Sequence, residues 1–291
     1  MTGSTPLRFD TVSFLSDYGR VDEFVGVVHS VIRSIAPEVR VIDITHDIEP
    51  YDVRAGGLAL VRAANYLAPG VVVAVVDPTV GTSRRPIAVE IGGGSSILVG
   101  PDNGVLAPVV RLCGGADRAF EIVNPEYRFT TEGGTFDGRD VFAPAAAHLC
   151  LGVDISELGP EIDPISLFPA MVPLPREEEG LLHAEVLWVD RYGNAQLNVD
   201  PDQLEEFDDV VRLVLDSGAR SARRVPTFAS LNPNEIGMIV DAYGLVSVVL
   251  DRKSAAEELG LRTASAVSIE DIDETRPSGT VTPVDLGPRR I

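Results

Sequence analysis

Hydrophobic positions in the first half of the chain alternate between two rhythms. Residues 11–15 form a short apolar run that ends at Ser16-Asp17-Tyr18-Gly19. Phe24, Val27, Val28, Val31, Ile32 and Ile35 then recur at helical intervals, which predicts a helix over Phe24–Ile35. Asp22 and Glu23 sit where the positive end of that helix favours carboxylates, and Pro37 closes it. Residues 39–44 predict a second strand, and 54–66 a second helix stopped by Pro69-Gly70. Residues 71–76 are an unbroken aliphatic run, as expected of a strand buried on both faces. Strands over 87–91 and 96–99 flank a triple-glycine turn, and a helix over 141–151 carries Pro144 in its first turns. Strand–helix alternation implies right-handed crossovers and an α/β sandwich with a mainly parallel sheet.

The rhythm changes after Gly159. The stretch up to Gly180 carries five prolines and the acidic run Glu177-Glu178-Glu179, which reads as a linker. Beyond it come short strands over 182–189, Val210–Leu215, Ile236–Val240 and 245–250, with no long helix between them. That pattern predicts a small β-barrel or sandwich, with a short helix at Ala255–Leu259. From about Ser268 the chain is rich in proline, glycine and acid, the composition of a flexible tail. The expected organisation is an α/β domain over 8–160, a linker over 161–180, a β-barrel domain over 181–267 and a tail over 268–291.

Composition narrows the function. The 291 residues hold 24 Lys+Arg against 44 Asp+Glu, a formal net charge of −20. That balance argues against nonspecific nucleic-acid binding, which phosphate contacts dominate. The two cysteines, Cys113 and Cys150, build neither a disulfide framework nor a zinc cluster, so a reducing, cytoplasmic setting is expected. The longest aliphatic run is far short of the roughly 20 residues that span a membrane. The four histidines show no metal-ligand spacing, so no metal is expected.

Ligands of open α/β sheets bind beyond the carboxyl ends of the strands. Three polar clusters fall there: Ser16-Asp17-Tyr18-Gly19 with Asp22 beyond, the loop from Asp77 to Arg84, and Asp102-Asn103-Gly104. Taken singly, Asp17 could serve a turn or cap, and Asp102-Asn103-Gly104 is a common turn sequence. Asp77 is harder to dismiss. It follows six buried aliphatics, so its charge needs a partner, which Arg84 can supply across the glycine turn. A further cluster, Gly133 to Asp140, has the glycines that permit close backbone approach. In the second half, Asp190-Arg191-Tyr192-Gly193-Asn194 and Asp241-Ala242-Tyr243-Gly244 each lie between strands and also suit hairpin turns.

Together, FLSDYGRVDEFVG, VIDITHDIEPYDVRAG, VVDPTVGTSR, LVGPDNGVL, TFDGRDVFAPAAAHL and DRYGNAQLN, in this order, resemble the S-adenosylmethionine hydroxide adenosyltransferases, relatives of the fluorinase and chlorinase. The resemblance runs over about residues 9 to 262. It implies an N-terminal α/β domain joined to a C-terminal β-barrel. It also implies a homotrimer whose sites lie between the N-terminal domain of one subunit and the C-terminal domain of the next. The implied reaction is hydrolysis of S-adenosylmethionine to adenosine and L-methionine, with no cofactor or metal, because the sulfonium is already an excellent leaving group. By the same resemblance Asp17 holds the ribose diol, Asp22 and Asp190 the methionine moiety, and Tyr192 and Asn194 the adenine. Tyr243 lies near a further substrate loop.

The water-activating set of the resembling hydrolases is Asp–Arg–His. Asp77 and Arg84 match its first two members, but Asp137 stands at the histidine position: the family pattern TFHGRD reads TFDGRD in this chain. The halogenases carry small residues there. An anionic Asp137 repels a halide by roughly 4 kcal/mol at 4 Å and an effective dielectric of 20. Hydrolysis is therefore favoured over halogenation, with a non-catalytic adenosine- or S-adenosylmethionine-binding protein as the third reading.

Overall fold

A computed structural model of the chain describes residues 7–170 and 172–272. The described residues divide into two compact units that part between residues 172 and 173.

The first unit runs β1 (Thr11–Ser16), α1 (Phe24–Ile35), β2 (Arg40–Thr45), α2 (Val53–Ala64), β3 (Val71–Val75), β4 (Pro86–Ile91), β5 (Ser96–Pro101), α3 (Ala107–Leu112), β6 (Arg118–Glu121) and α4 (Ala143–Cys150). The sheet order is β2-β1-β3-β5-β4-β6; β2, β1, β3 and β5 are parallel, and β4 pairs antiparallel with β5 and β6. Strand β3 explains the layering. Its residues are all buried, and alternate ones serve opposite cores because side chains alternate across a strand. Val71, Val73 and Val75 join the core of α1 and α4. Val72 and Ala74 join the core containing Leu60 of α2 and Val109 of α3. The sheet is thus sandwiched between helices, and each buried valine contributes on the order of 1.5–3 kcal/mol.

Helix α4 begins differently from expectation. A π-helical turn over Gly138–Phe142 precedes it, with Ala143 N–H bonding to Gly138 C=O. The cause lies in Pro144, which has no N–H for the Asp140 carbonyl. Phe129 N–H takes that carbonyl instead, at 2.7 Å. The turn sets Asp137 and Gly138 at the start of the helix, facing the loops that follow β1 and β3.

The second unit holds β7 (Arg176–Glu178), β8 (Leu181–Val189), β9 (Ala195–Leu197), β10 (Val210–Leu215), β11 (Gly218–Arg224), β12 (Ile236–Val240), β13 (Val246–Leu250), α5 (Ala255–Leu259) and β14 (Ala266–Asp271). Strands β14-β10-β11-β12-β13-β9-β8 form a ring closed by the β14–β8 pairing, a seven-stranded β-barrel. Inward residues alternate, as Leu182, Ala184 and Val186 do on β8 and Val211, Leu213 and Leu215 on β10.

The stretch read as a linker has structure of its own. Ile162 is buried in the first unit's core, and β7 pairs with β8. The tail expected over 268–291 is corrected at its start, because β14 continues to Asp271 with Val267 and Ile269 buried. Residues 273–291 of that tail lie outside the described residues.

Candidate active site

The polar clusters of the first unit converge where β1 and β3 end. Arg84 grips Asp77 with two donors, Nε to Oδ1 at 3.2 Å and Nη2 to Oδ2. The Thr79 hydroxyl adds a bond to Asp77 Oδ1 at 3.2 Å. The same Arg84 Nη2 donates to Asp137 Oδ2 at 2.7 Å. The Asp77 and Arg84 side chains are each only 6% exposed, and Asp137 19%. The guanidinium lies over the Phe142 ring, 5.6 Å from its centroid. One guanidinium carries a single positive charge, enough for one carboxylate. In the structure a single nitrogen serves both, so the trio keeps one formal negative charge. Arg84 Nη1 is buried and has no hydrogen-bond partner among the described residues. An orphan donor of that kind calls for an oxygen acceptor, such as a water or a substrate.

Asp17 sits just past β1 and is partly buried. Its Oδ2 accepts the Tyr51 N–H at 2.9 Å. Burial raises its carboxyl pKa above the ordinary range; the Tyr51 N–H and its own N–H act the other way, and the Asp77 charge adds to the rise. Tyr51 holds φ at 71°, a left-handed conformation that costs a residue with a Cβ about 1–2 kcal/mol. The residue that donates to Asp17 is thus itself held in a strained turn. Tyr18 links the loops. Its hydroxyl pKa is pushed up by burial and then by the charges of Asp17, Asp77 and Asp137. It packs so close to Gly138 that a Cβ there would come 2.2 Å from the hydroxyl oxygen. Asp17, Asp77, Arg84 and Asp137 therefore share one neighbourhood. Asp22 is exposed in the bend before α1. Tyr51 and the sharing of one Arg84 nitrogen escape sequence reading, since a positive φ outside glycine leaves no signal in the residue type and a shared hydrogen bond leaves none in the spacing.

In the second unit the remaining candidates occupy two matching turns. Asp190 Oδ1 accepts N–H groups from Tyr192 at 2.8 Å and Asn194 at 2.9 Å, and Oδ2 accepts from Asn194 Nδ2 at 2.7 Å. Asp241 does the same for Tyr243 at 2.8 Å and Leu245 at 3.3 Å. The glycine of each turn, Gly193 and Gly244, has φ of 82°. Asp190 thus performs turn work while its remaining lone pairs stay open to a ligand. Tyr192 and Asn194 line a cleft of about 430 Å³ with Phe228 and Lys253. Tyr243 is outside that cleft and meets Trp188 edge-on at 6.1 Å. Asp102, Asn103 and Asp140 are engaged in contacts of the fold. Asp102 is tied to Arg85, and Asn103 Nδ2 bonds the Val76 carbonyl at 2.8 Å. Asp140 is held by Arg139 and Thr131.

Residues 12–159 match the model of the SAM hydroxide adenosyltransferase N-terminal domain, and residues 184–268 that of its C-terminal domain. The chain belongs to the SAM hydroxide adenosyltransferase family. Within reach of this family, it is 42% identical over 250 residues to the (R)-S-adenosyl-L-methionine hydrolase of Salinispora tropica, covering 86% of this chain and 94% of that one. It is 26% identical over 290 residues to a fluorinase of Actinoplanes sp., covering 89% and 96%. Among solved structures, an uncharacterized conserved protein from Thermotoga maritima matches with a TM-score of 0.82 and 33% identity, covering 89% of this chain and 99% of that one.

Proposed function

We propose that the protein hydrolyses S-adenosyl-L-methionine to adenosine and L-methionine. The observation that carries this reading is the buried Asp77–Arg84–Asp137 constellation, with its orphan Arg84 Nη1, beside the partly buried Asp17 carboxylate. Arg84 Nη1 and a carboxylate oxygen hold a water or hydroxide in line with the ribose C5′. The C5′–O bond forms as the C5′–S bond breaks, its electron pair returns to sulfur, and a water nucleophile yields its surplus proton to a carboxylate or solvent. Methionine leaves as a neutral thioether, so the reaction calls for no cofactor and no metal, and the protein's task is positioning and exclusion of stray water. Asp17 accepts the ribose hydroxyls, Asp22 and Asp190 attract the methionine ammonium, Tyr192 and Asn194 take the adenine, and Tyr243 adds a nearby contact. The enzyme is a cytoplasmic homotrimer in which subunits share sites, a reading supported by the family resemblance and by candidate residues in both units.

Incubating purified protein with S-adenosylmethionine, with and without chloride or fluoride, and separating the products tests this. Adenosine and methionine in equal amounts are expected. A halogenated nucleoside would favour the fluorinase-like reading, against which the Asp137 charge argues, and unchanged substrate would favour a binding protein.

A further inference from the structure

Two histidines far apart in sequence meet at one carboxylate. His29 on α1 places Nε2 2.8 Å from Asp43 Oδ1, and His46, just past β2, places Nε2 3.1 Å from the same oxygen. The three ligand atoms lie within 4.8 Å of one another. We propose that His29, Asp43 and His46 form an open three-ligand site for a divalent transition-metal ion. Zinc best suits two imidazoles and a carboxylate with a coordination position left free.

Three features of the cluster support a metal. First, His46 is fully buried, yet its Nε2 makes no aligned hydrogen bond despite the nearby oxygen. Second, its Nδ1 lies 2.8 Å from the buried Ser16 hydroxyl. With the proton on Nδ1 and donated to Ser16 Oγ, Nε2 keeps its lone pair for an ion, which is how outer partners orient metal-binding imidazoles. Third, both ring nitrogens crowd Asp43 Oδ1, while Oδ2 faces Arg20 at 3.9 Å. A cation between the three lone pairs resolves that crowding. The Asp43 and His29 side chains are 26% and 35% exposed, which leaves a path for an ion and room for a water ligand. Arg20 competes with the ion, but it is 56% exposed and lies 3.8 Å from Asp47, toward which it can turn.

A bound ion ties α1 to the end of β2. It also braces the loop after β1, because the His46 carbonyl accepts the Gly19 N–H at 2.8 Å. The role is structural and independent of the proposed hydrolysis.

The test uses tag-free, full-length protein stripped with a chelator. Calorimetric titration with Zn²⁺ should show one ion per chain. Co²⁺ should develop visible d–d bands that Zn²⁺ abolishes. His29→Ala changes a partly exposed ring on a helix surface, so circular dichroism should show an intact fold while the isotherm and the bands are lost. Ser16→Ala should weaken Zn²⁺ binding by roughly 10–100-fold. Absence of stoichiometric binding, or binding unchanged in His29→Ala, would overturn the proposal and leave His29 hydrogen-bonded to Asp43 with His46 beside it.

Discussion

Asp17 sits in a place that disfavours its charge. Burial raises its pKa, so between the unfolded and folded values the native chain binds more protons than the unfolded one. Stability then falls as pH rises through that window, and the loss persists above it. Asp17→Asn should therefore melt at a higher temperature than wild type near neutral pH, with the difference vanishing below the ordinary carboxylate range. The same variant should bind S-adenosylmethionine and adenosine more weakly, since a hydrogen bond to a charged group is worth ~1.5–3 kcal/mol. Melting curves across pH, paired with calorimetry, check both halves; unchanged adenosine affinity would remove Asp17 from the site. Asp137 poses the opposite problem. With Asp77 and one shared Arg84 it leaves a net negative trio, which repels an approaching hydroxide. Asp137→His removes that charge and supplies a ring that can donate as well as accept. If 1.4 kcal/mol of the repulsion is relieved, turnover rises about tenfold. Substrate affinity should change less, because the ribose, adenine and methionine contacts lie elsewhere. Turnover and dissociation constants of both forms decide this, and an equal or slower variant would show the carboxylate to be a competent replacement.

At the scale of elements, β14 closes the barrel by pairing with β10 on one side and β8 on the other. Its inward Ile269 is fully buried. Ile269→Ala should cost about 2–5 kcal/mol, the combined loss of transfer energy and cavity. A denaturation midpoint lowered at unchanged slope would confirm it, whereas a loss under 1 kcal/mol would mean the barrel does not depend on this seam. Elements with regular apolar spacing were readable. Helix α1 and strands β10 and β12 end where their hydrophobic pattern does. The elements without a pattern were not. In β11 (Gly218–Arg224) only Ala222 is buried, so nothing in its polar residues marks a strand. Strand β9 has three residues and helix α3 six, too few for a period to emerge. The π-turn before α4 follows from Pro144 together with a remote partner, Phe129 N–H.

For the whole molecule, the proposed trimer makes a prediction that a monomeric site does not. Asp17→Ala and Asp190→Ala chains, each expected to be impaired alone, should recover part of their activity when mixed trimers form, because some sites then draw both residues from intact copies. Mass spectrometry verifies the mixed assemblies and product analysis reads the recovery. Confirmed mixed trimers with no recovered activity would place each site within one chain. The net charge of −20 affects solubility and steering but selects no substrate, so it adds nothing to this test.

The sequence by itself determined the two-part architecture, the buried central strand and the carboxylates and arginine at the strand ends. Burial periodicity and turn chemistry are local properties, and local properties are written in residue order. Six ordered motifs also sufficed to place the chain in its family. The tertiary structure alone decided that one Arg84 nitrogen serves Asp77 and Asp137 together, that Tyr51 is held at positive φ against Asp17, and that His29 and His46 meet at Asp43. Each of these depends on groups brought together from separate elements, and no spacing along the chain encodes a distance across a fold.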